Sequence, residues 1–227
     1  MVALLVLLTI AVFIVIDLIV VKDKRANKPA LVSSSVSTLP SSVPVFNKKS
    51  ILAPDGYYFY KGHTWAKKFE NGLLKIGIDD FVLKALGKFT IEKIVSENRF
   101  VKQGDIILEA KFDSKQIKFR SPVYGIVKSI NQNIIGKTLN DPYENDWGLV
   151  ITPINMEDNL NTLKVGHSAI EWMKGEFRRL KDFLSYNSFR AEPVGVTMYD
   201  GGNVLEGAVS KIDDEGLKQF EEEFLSF

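Results

Sequence analysis

The sequence contains no cysteine and only two histidines among its 227 residues. The absence of cysteine excludes disulfides, thiolate nucleophiles and cysteine-ligated metal sites, and it fits a reducing compartment. His63 and His167 lie too far apart in the sequence to form a recognisable metal-binding motif. A net charge of +1 gives no electrostatic reason to expect a nucleic-acid partner. No spacing of Ser, His, Asp or Glu is typical of a catalytic site, so we expect a protein that is not an enzyme.

One long apolar run lies at the N-terminus. Residues 2–21 are almost continuously apolar, interrupted only by Thr9 and Asp17. About 20 such residues are enough to span a bilayer as a helix. A cleaved signal peptide is the alternative, but it requires a basic start, a shorter apolar core and a small-residue cleavage site. Because these features are missing, we predict an uncleaved transmembrane helix over residues 1–21.

Basic residues directly after this run set the predicted orientation. Lys22, Lys24 and Arg25 place that end of the helix in the cytoplasm by the positive-inside rule. We therefore expect a single-pass membrane protein whose soluble domain is cytoplasmic. Residues 22–52 contain many Ser and Pro and too few apolar side chains to fold alone, which predicts a flexible linker.

Short apolar–polar alternations separated by turn residues predict a mainly β fold with some α-helix beyond the linker. The predicted β domain covers residues 53–163 and contains a hairpin with arms at residues 106–112 and 117–121. Residues 164–227 are predicted to form a small α+β C-terminal extension. Its predicted elements are a mainly helical segment over residues 163–184, a hairpin within residues 194–209 and an acidic amphipathic helix over residues 213–225.

Several short motifs follow one another within the predicted β domain. They are His63-Thr64-Trp65; Ile76-Gly77-Ile78-Asp79-Asp80-Phe81 with Ala85-Leu86-Gly87; Val101-Lys102-Gln103-Gly104-Asp105; Ser121-Pro122-Val123-Tyr124-Gly125; and Asn140-Asp141-Pro142-Tyr143 with Trp147-Gly148. In this order they resemble the H-protein of the glycine cleavage system, over residues 57–163. The resemblance implies a barrel-sandwich hybrid, the fold of lipoyl domains, with a lipoyl-bearing lysine at a hairpin tip. It also implies that His63 and Trp65 lie near the cavity of the lipoyl arm, with Asp141 and Tyr143 in the motif that closes the domain.

The lipoyl lysine itself departs from the family pattern. The family places it seven residues before the Ser of Ser-Pro-Val, and that position here is Ser114. Pairing the hairpin arms by their alternation instead places Ala110 opposite Phe119. The turn then covers residues 113–116, and Lys115 occupies its third position, where lipoyl domains carry their lysine.

Lys115 therefore has two interpretations: a shifted lipoyl attachment site, or a solvated turn lysine. Lys111, Lys115 and Lys118 make the hairpin tip basic where the family is acidic. A basic tip is a poor match for a lipoate-attaching enzyme that reads an acidic hairpin, and it suits an acidic partner surface. We expect the lipoyl group to be absent, with Lys115 as its attachment site if it is present.

These features together predict a membrane-anchored H-protein-like module that works through other protein subunits. It is either a lipoyl-type carrier or a carrier-derived docking or structural subunit. The alternative is an extracytoplasmic adaptor of the membrane-fusion type, which also joins an N-terminal span to a lipoyl-like domain. Such adaptors usually insert a long coiled-coil hairpin, and no heptad stretch separates the two hairpin arms here.

Overall fold

Short strands in which buried and exposed residues alternate form most of the fold. The computed structural model describes residues 44–112, 115–188, 198–199 and 203–227. The described strands are β1 (Val45–Phe46), β2 (Tyr57–Phe59), β3 (Thr64–Lys68), β4 (Leu74–Ile78), β5 (Thr90–Ile94), β6 (Phe100–Val101), β7 (Ile106–Phe112), β8 (Lys115–Arg120), β9 (Gly125–Ile130), β10 (Leu149–Pro153), β11 (Lys164–Val165), β12 (Met198–Tyr199) and β13 (Asn203–Leu205). The described helices are α1 (Asp80–Leu86), α2 (Met156–Asn161), α3 (Gly166–Ser188) and α4 (Asp214–Phe220), with 3-10 turns at Gln132–Ile134 and Ala208–Lys211 and a π-helical turn at Glu221–Leu225. The predicted mainly β fold with some helix is confirmed.

Two antiparallel sheets form the β domain. The larger has seven strands in the order β11-β2-β3-β4-β10-β9-β6, and the smaller has the order β5-β7-β8. Buried side chains from both sheets belong to one apolar cluster, which includes Trp65, Leu74, Ile91, Phe119 and Val127. The two sheets therefore share a single core.

The β7–β8 hairpin has a register different from the one predicted by alternation. Ala110 lies opposite Ile117, so the predicted pairing of Ala110 with Phe119 is wrong by two residues. The two-residue shift keeps each side chain on its predicted face, and a β-bulge between Ile106 and Leu108 moves the pairing by one further residue at the base of the hairpin. Phe112 lies opposite Lys115, and only two residues separate these paired ends. Lys115 is thus the first residue of β8 and not the third residue of a four-residue turn.

The helix predicted after β4 is present, and its ends form as expected. The Asp79 side chain accepts a hydrogen bond from the Val82 amide at 3.1 Å, which caps the N-terminus of α1. Gly87 ends the helix with a φ of 77°. A Cβ at Gly87 would lie 2.9 Å from Cα of Gly207, so glycine also allows the extension to approach α1 closely.

The helices of the C-terminal extension pack against the β domain and join its core. α3 buries Met173, Phe177, Leu180 and Leu184, whereas Ile170, predicted for the same face, is 39% exposed. The predicted acidic amphipathic helix is also present, as α4 followed by the π-helical turn. Its buried side chains are Leu217, Phe220, Phe224 and Leu225, as predicted.

The predicted C-terminal hairpin gains a third strand from the other end of the chain. β12 and β13 pair as neighbours, and β1 adds to β13 with Phe46 opposite Val204. Val45 and Phe46, which the sequence assigned to the linker, are therefore part of the folded domain. Phe46 is fully buried, because it supplies an apolar side chain to the face that α3 covers.

Some predictions concern residues outside the described ranges. The predicted transmembrane helix over residues 1–21, most of the predicted linker and Ser114 lie there. Within residues 44–112, 115–188, 198–199 and 203–227, no helix is long and apolar enough to cross a membrane.

Candidate functional site

Lys115, the candidate attachment residue, is held by the C-terminal extension. Its Nζ donates a hydrogen bond to the carbonyl oxygen of Ile212 at 2.7 Å and lies 3.4 Å from Oδ1 of Asp214. Only 19% of the Lys115 side chain is exposed. The Lys115 amine already has partners within the chain. Lys115 is therefore neither a free attachment residue for a mobile lipoyl arm nor a fully solvated turn lysine.

A shallow groove of about 200 Å³ lies beside this lysine. Its lining carries both charges, since it includes Lys115 and Lys218 as well as Asp214 and Glu221. Burial raises the pKa of the Glu221 carboxyl, and the neighbouring Lys118 opposes that rise. The basic hairpin predicted to face an acidic partner thus already faces an acidic segment of its own chain.

The other lysine of the hairpin end remains more accessible. Nζ of Lys111 lies 3.6 Å from the Glu92 carboxylate, and 45% of the Lys111 side chain is exposed. Gln116, on the facing strand, is also exposed and contacts Glu92. The accessible part of the hairpin end therefore carries mixed charge.

A second cluster of charged groups lies in the interior, at His63. This residue ends the turn between β2 and β3 with a φ of 59°, a left-handed conformation that non-glycine residues adopt rarely. Its ring is fully buried, with Nδ1 2.8 Å from Oδ2 of Asp79 and Nε2 3.7 Å from Oε2 of Glu176. Asp79 belongs to the β domain and Glu176 to α3, so the imidazole bridges the β domain and the extension.

The charge of this cluster follows from its geometry. Burial opposes protonation of His63, but the carboxylates of Asp79 and Glu176 outweigh it and raise the pKa of the imidazole to about 9. Burial also opposes ionisation of Glu176, yet His63 and Arg179 together hold the pKa of its carboxyl below the usual value. Burial raises the pKa of the Asp79 carboxyl, against the opposing charge of His63. At neutral pH the imidazole is therefore a buried cation, and Glu176 is its partner anion from the extension.

Aromatic rings enclose this cluster. The imidazole stacks on Phe81 at 4.4 Å and on Trp172 at 5.1 Å, measured between ring centroids. Phe224, from the π-helical turn, lies 6.4 Å from Phe81. His63 therefore lies in a closed interface and does not line an open cavity.

The end of the chain completes the contact between the extension and the β domain. The Tyr60 hydroxyl donates a hydrogen bond to the carbonyl oxygen of Phe227 at 2.6 Å. Nζ of Lys61 lies 4.7 Å from the centre of the Phe227 ring. Because Phe227 is bound through both its backbone and its ring, the final residues are fastened to the turn that carries His63.

The remaining motif residues have structural positions. The Trp65 indole nitrogen donates to the carbonyl oxygens of Ile78 and Pro142, which joins the first motif to the last. The Tyr143 hydroxyl donates to the carbonyl oxygen of Leu52 at 2.6 Å, and burial raises the pKa of this phenol. Asp141 lies in the turn before Tyr143 and its amide donates to Asp146. These residues hold the domain together, and the order of their motifs along the chain resembles that of a lipoyl-type carrier domain.

Comparison with known proteins agrees with this class. The profile of the family described as "Glycine cleavage H-protein" matches residues 57–176. Because the match covers more than half of the chain, the protein belongs to the glycine cleavage H-protein family.

Individual relatives match over the same region. The "Probable glycine cleavage system H protein" of Pyrococcus furiosus is 29% identical over 123 residues, which are 53% of this chain and 91% of the relative. The protein of the same name from Thermococcus gammatolerans is 31% identical over 123 residues, with the same coverage of both chains. The crystal structure of a glycine cleavage system H protein from Mycobacterium marinum aligns with a TM-score of 0.44 and 18% identity, covering 54% of this chain and 99% of that chain. The family match ends within α3, so most of the extension lies outside it.

The residues at the hairpin end do not fit a lipoyl group. A serine hydroxyl at Ser114 cannot form the lysyl amide that holds the lipoyl arm. The neighbouring Lys115 is partly buried, and its Nζ is bound to Ile212 and Asp214. The chain thus keeps the fold of a carrier and lacks a free amine at the end of the hairpin arm β8.

Sequence reasoning identified His63 but not its partners. Glu176, Trp172 and Phe224 all come from the extension, beyond the motifs that carry the resemblance. One feature of the sequence indicated a buried charge in the extension: Glu176 lies between Met173 and Leu180 on the apolar face of the predicted helix. A carboxylate at a buried helical position requires a cationic partner, and Glu176 has two, Arg179 at 2.7 Å and His63 at 3.7 Å.

Proposed function

We propose that this protein is a membrane-anchored docking subunit built on a carrier fold, not a loaded lipoyl carrier. The supporting observation is the hairpin end, where Ser114 stands at the expected attachment position and Lys115 is bound to the extension. Such a subunit needs no catalytic group of its own and acts by positioning other protein subunits.

The contact between extension and hairpin supports a docking role. Contacts at Lys115, His63 and Tyr60 fasten the extension to three separate points of the β domain. A mobile arm anchored at Lys115 would first have to break the contacts with Ile212 and Asp214. A fixed hairpin supported by the extension is better suited to constant binding than to shuttling between partners.

The adaptor alternative is less consistent with the hairpin. A membrane-fusion adaptor carries a long helical insertion in its lipoyl-like domain, whereas β7 and β8 pair up to Phe112 and Lys115 with two residues between them. The proposed cytoplasmic position rests on the basic residues after the predicted span. A reporter fused to the C-terminus that is active only in the cytoplasm tests this position, and activity of an export-dependent reporter would favour the adaptor.

An attachment assay tests the absence of the lipoyl group. The purified full chain is incubated with a lipoate-attaching enzyme, ATP and lipoate, beside an archaeal H-protein as the positive control. We expect no lipoyl group on the wild type, because Lys115 is held by the extension. Lipoylation of Lys115 to the extent seen in the positive control would contradict the proposal.

Site-specific photo-crosslinking tests the docking role. A photoreactive amino acid is placed at Gln116, at the hairpin end, and in a separate variant at Lys137, which is also exposed. In membranes of the source cells we expect one defined protein adduct from Gln116 and none from Lys137. Equal adducts from both positions, or none from Gln116, would argue against docking through the hairpin.

A further inference from the structure

A basic groove lies between the start of the described chain and helix α3. It has a volume of about 430 Å³, and its charged lining consists of Lys48, Lys49, Arg178 and Lys181. The remaining lining residues, which include Asn203, are uncharged. Four cations therefore face one concave surface, and none of the described residues that line it is acidic.

These cations come from two elements that are fixed to each other. Residues 47–50 form a hydrogen-bonded turn, in which the Ser50 amide donates to the Asn47 carbonyl oxygen at 2.9 Å and the Lys49 amide donates to the Asn47 side chain at 2.8 Å. Just before this turn, the Phe46 ring packs edge-on against Phe177 of α3 at 5.4 Å. The turn cannot swing away from the helix without exposing a buried ring, so the groove is preformed.

The Glu171 carboxylate acts on Arg178 from a distance, but no direct ion pair neutralises the groove within the described part of the chain. None of its four cations forms an ion pair with a described carboxylate. Lys48, Lys49 and Arg178 are exposed, and Lys181 is partly exposed. Clustered cations repel one another, so an anionic ligand with several negative charges would relieve that repulsion.

We propose that this groove docks the domain on an anionic phospholipid surface through lipid phosphate groups. The position of the groove supports a lipid source for the phosphates, because Lys48 and Lys49 lie just after residue 44, where the described chain continues from the linker and the predicted span. A basic cluster close to a membrane attachment gains affinity for anionic lipid with each added cation. The inference assumes that the proposed membrane anchor holds the domain near the lipid surface. The charge of the groove is independent of that anchor.

Docking through the groove would orient the domain. One face of α3 would lie against the headgroups, and the chain would be held at the membrane by two separate contacts. Two weak attachments on one short chain reinforce each other, because the second binds at high effective concentration.

Energy transfer in vesicles measures this docking directly. Because the chain has no cysteine, Asn203→Cys gives a single labelling site at the groove. The full chain carries a donor dye there and is reconstituted in vesicles with an acceptor dye on the lipid headgroups. The vesicles contain either zwitterionic lipid alone or zwitterionic lipid with anionic phosphatidylserine.

We expect transfer to be higher in the anionic vesicles and to fall as salt is raised. The double variant Arg178→Glu/Lys181→Glu should lower the docked-to-undocked ratio at least about 25-fold, at about fivefold for each cation lost. The control is Lys128→Glu/Lys137→Glu, which changes the net charge equally at exposed positions outside the groove. It should retain transfer near that of the wild type.

The outcomes separate this inference from the membrane anchor. Flotation with zwitterionic vesicles reports the anchor, and dependence of transfer on anionic lipid reports the groove. A protein that floats with anionic vesicles but not with zwitterionic vesicles, and whose groove variant floats with neither, would refute the anchor and support the groove. Transfer that is equal in both lipids, or equal in the groove variant and its control, would overturn the inference. Groove-dependent binding of single-stranded RNA or inorganic phosphate without any lipid dependence would also overturn it.

Discussion

Replacing Glu176 with Gln tests the buried charge cluster that joins the extension to the β domain. Glu176→Gln keeps the size and shape of the side chain while removing the negative charge 3.7 Å from Nε2 of His63. The pKa of His63 is raised from 6.5 to about 9 in the folded protein. Loss of this carboxylate should lower that pKa, although Asp79 remains and still favours the charged imidazole.

The effect on stability has a definite sign and size. A group whose pKa is higher in the folded state stabilises the fold fully below its unfolded pKa, and that stabilisation is lost as pH rises through the folded pKa. For His63 the window runs from pH 6.5 to about 9. The wild type should therefore lose about 3 kcal/mol of unfolding free energy across it, at about 1.4 kcal/mol per pKa unit. In Glu176→Gln this loss should be smaller and complete at lower pH.

Urea unfolding of the full chain in detergent, followed by tryptophan fluorescence, measures this slope. Glu171→Gln is the matched control, because it makes the same change on the same helix at an exposed carboxylate that pairs with Lys174 and not with the imidazole. It should leave stability nearly unchanged and keep the pH slope of the wild type. The imidazole can also be titrated by NMR, since the chain has only two histidines and His167→Gln assigns the pair. A slope that is unchanged in Glu176→Gln, or His63 that titrates below pH 7, would refute the account of the cluster.

Two further predictions concern the hairpin and the core. Lys115→Met should increase hydrogen exchange in residues 212–225 and cost about 1 kcal/mol, because the hydrogen bond to the extension is lost. The more exposed Lys111→Met should leave exchange there unchanged, and equal effects of the two would contradict the assigned contact. Gly77→Ala should destabilise the β domain by about 1–3 kcal/mol in urea unfolding, because its Cβ would lie 2.4 Å from the Trp65 ring. Gly175→Ala, which meets no atom within 4 Å, should be neutral or stabilising, and a loss equal to that of Gly77→Ala would argue against this packing.

The β domain was largely predictable because its signals are local. Asp79 and Gly87 mark the ends of α1 by capping chemistry that acts within a few residues. The hairpin register was not predictable in the same way, since a shift of two residues keeps every side chain on the same face, and alternation therefore fits both the predicted and the observed pairing.

The contacts of the extension depend on tertiary structure. Nothing near Phe46 in the sequence indicates that it pairs with Val204, because the two residues come from opposite ends of the chain. The binding of Lys115 to Ile212 is equally distant in sequence. Only the position of Glu176 on an apolar helical face gave a local sign that the extension carries a buried charge.

The central claim is that this member of the H-protein family carries no lipoyl group. Its most direct test is the intact mass of the protein purified from its own cells under lipoate-replete conditions, with peptide mapping of Lys111, Lys115 and Lys118. An unmodified mass, with a lipoylated protein detected in the same cells, is the predicted result. A lipoyl increment on Lys115 would contradict the claim and make the protein a carrier whose extension must release the hairpin end.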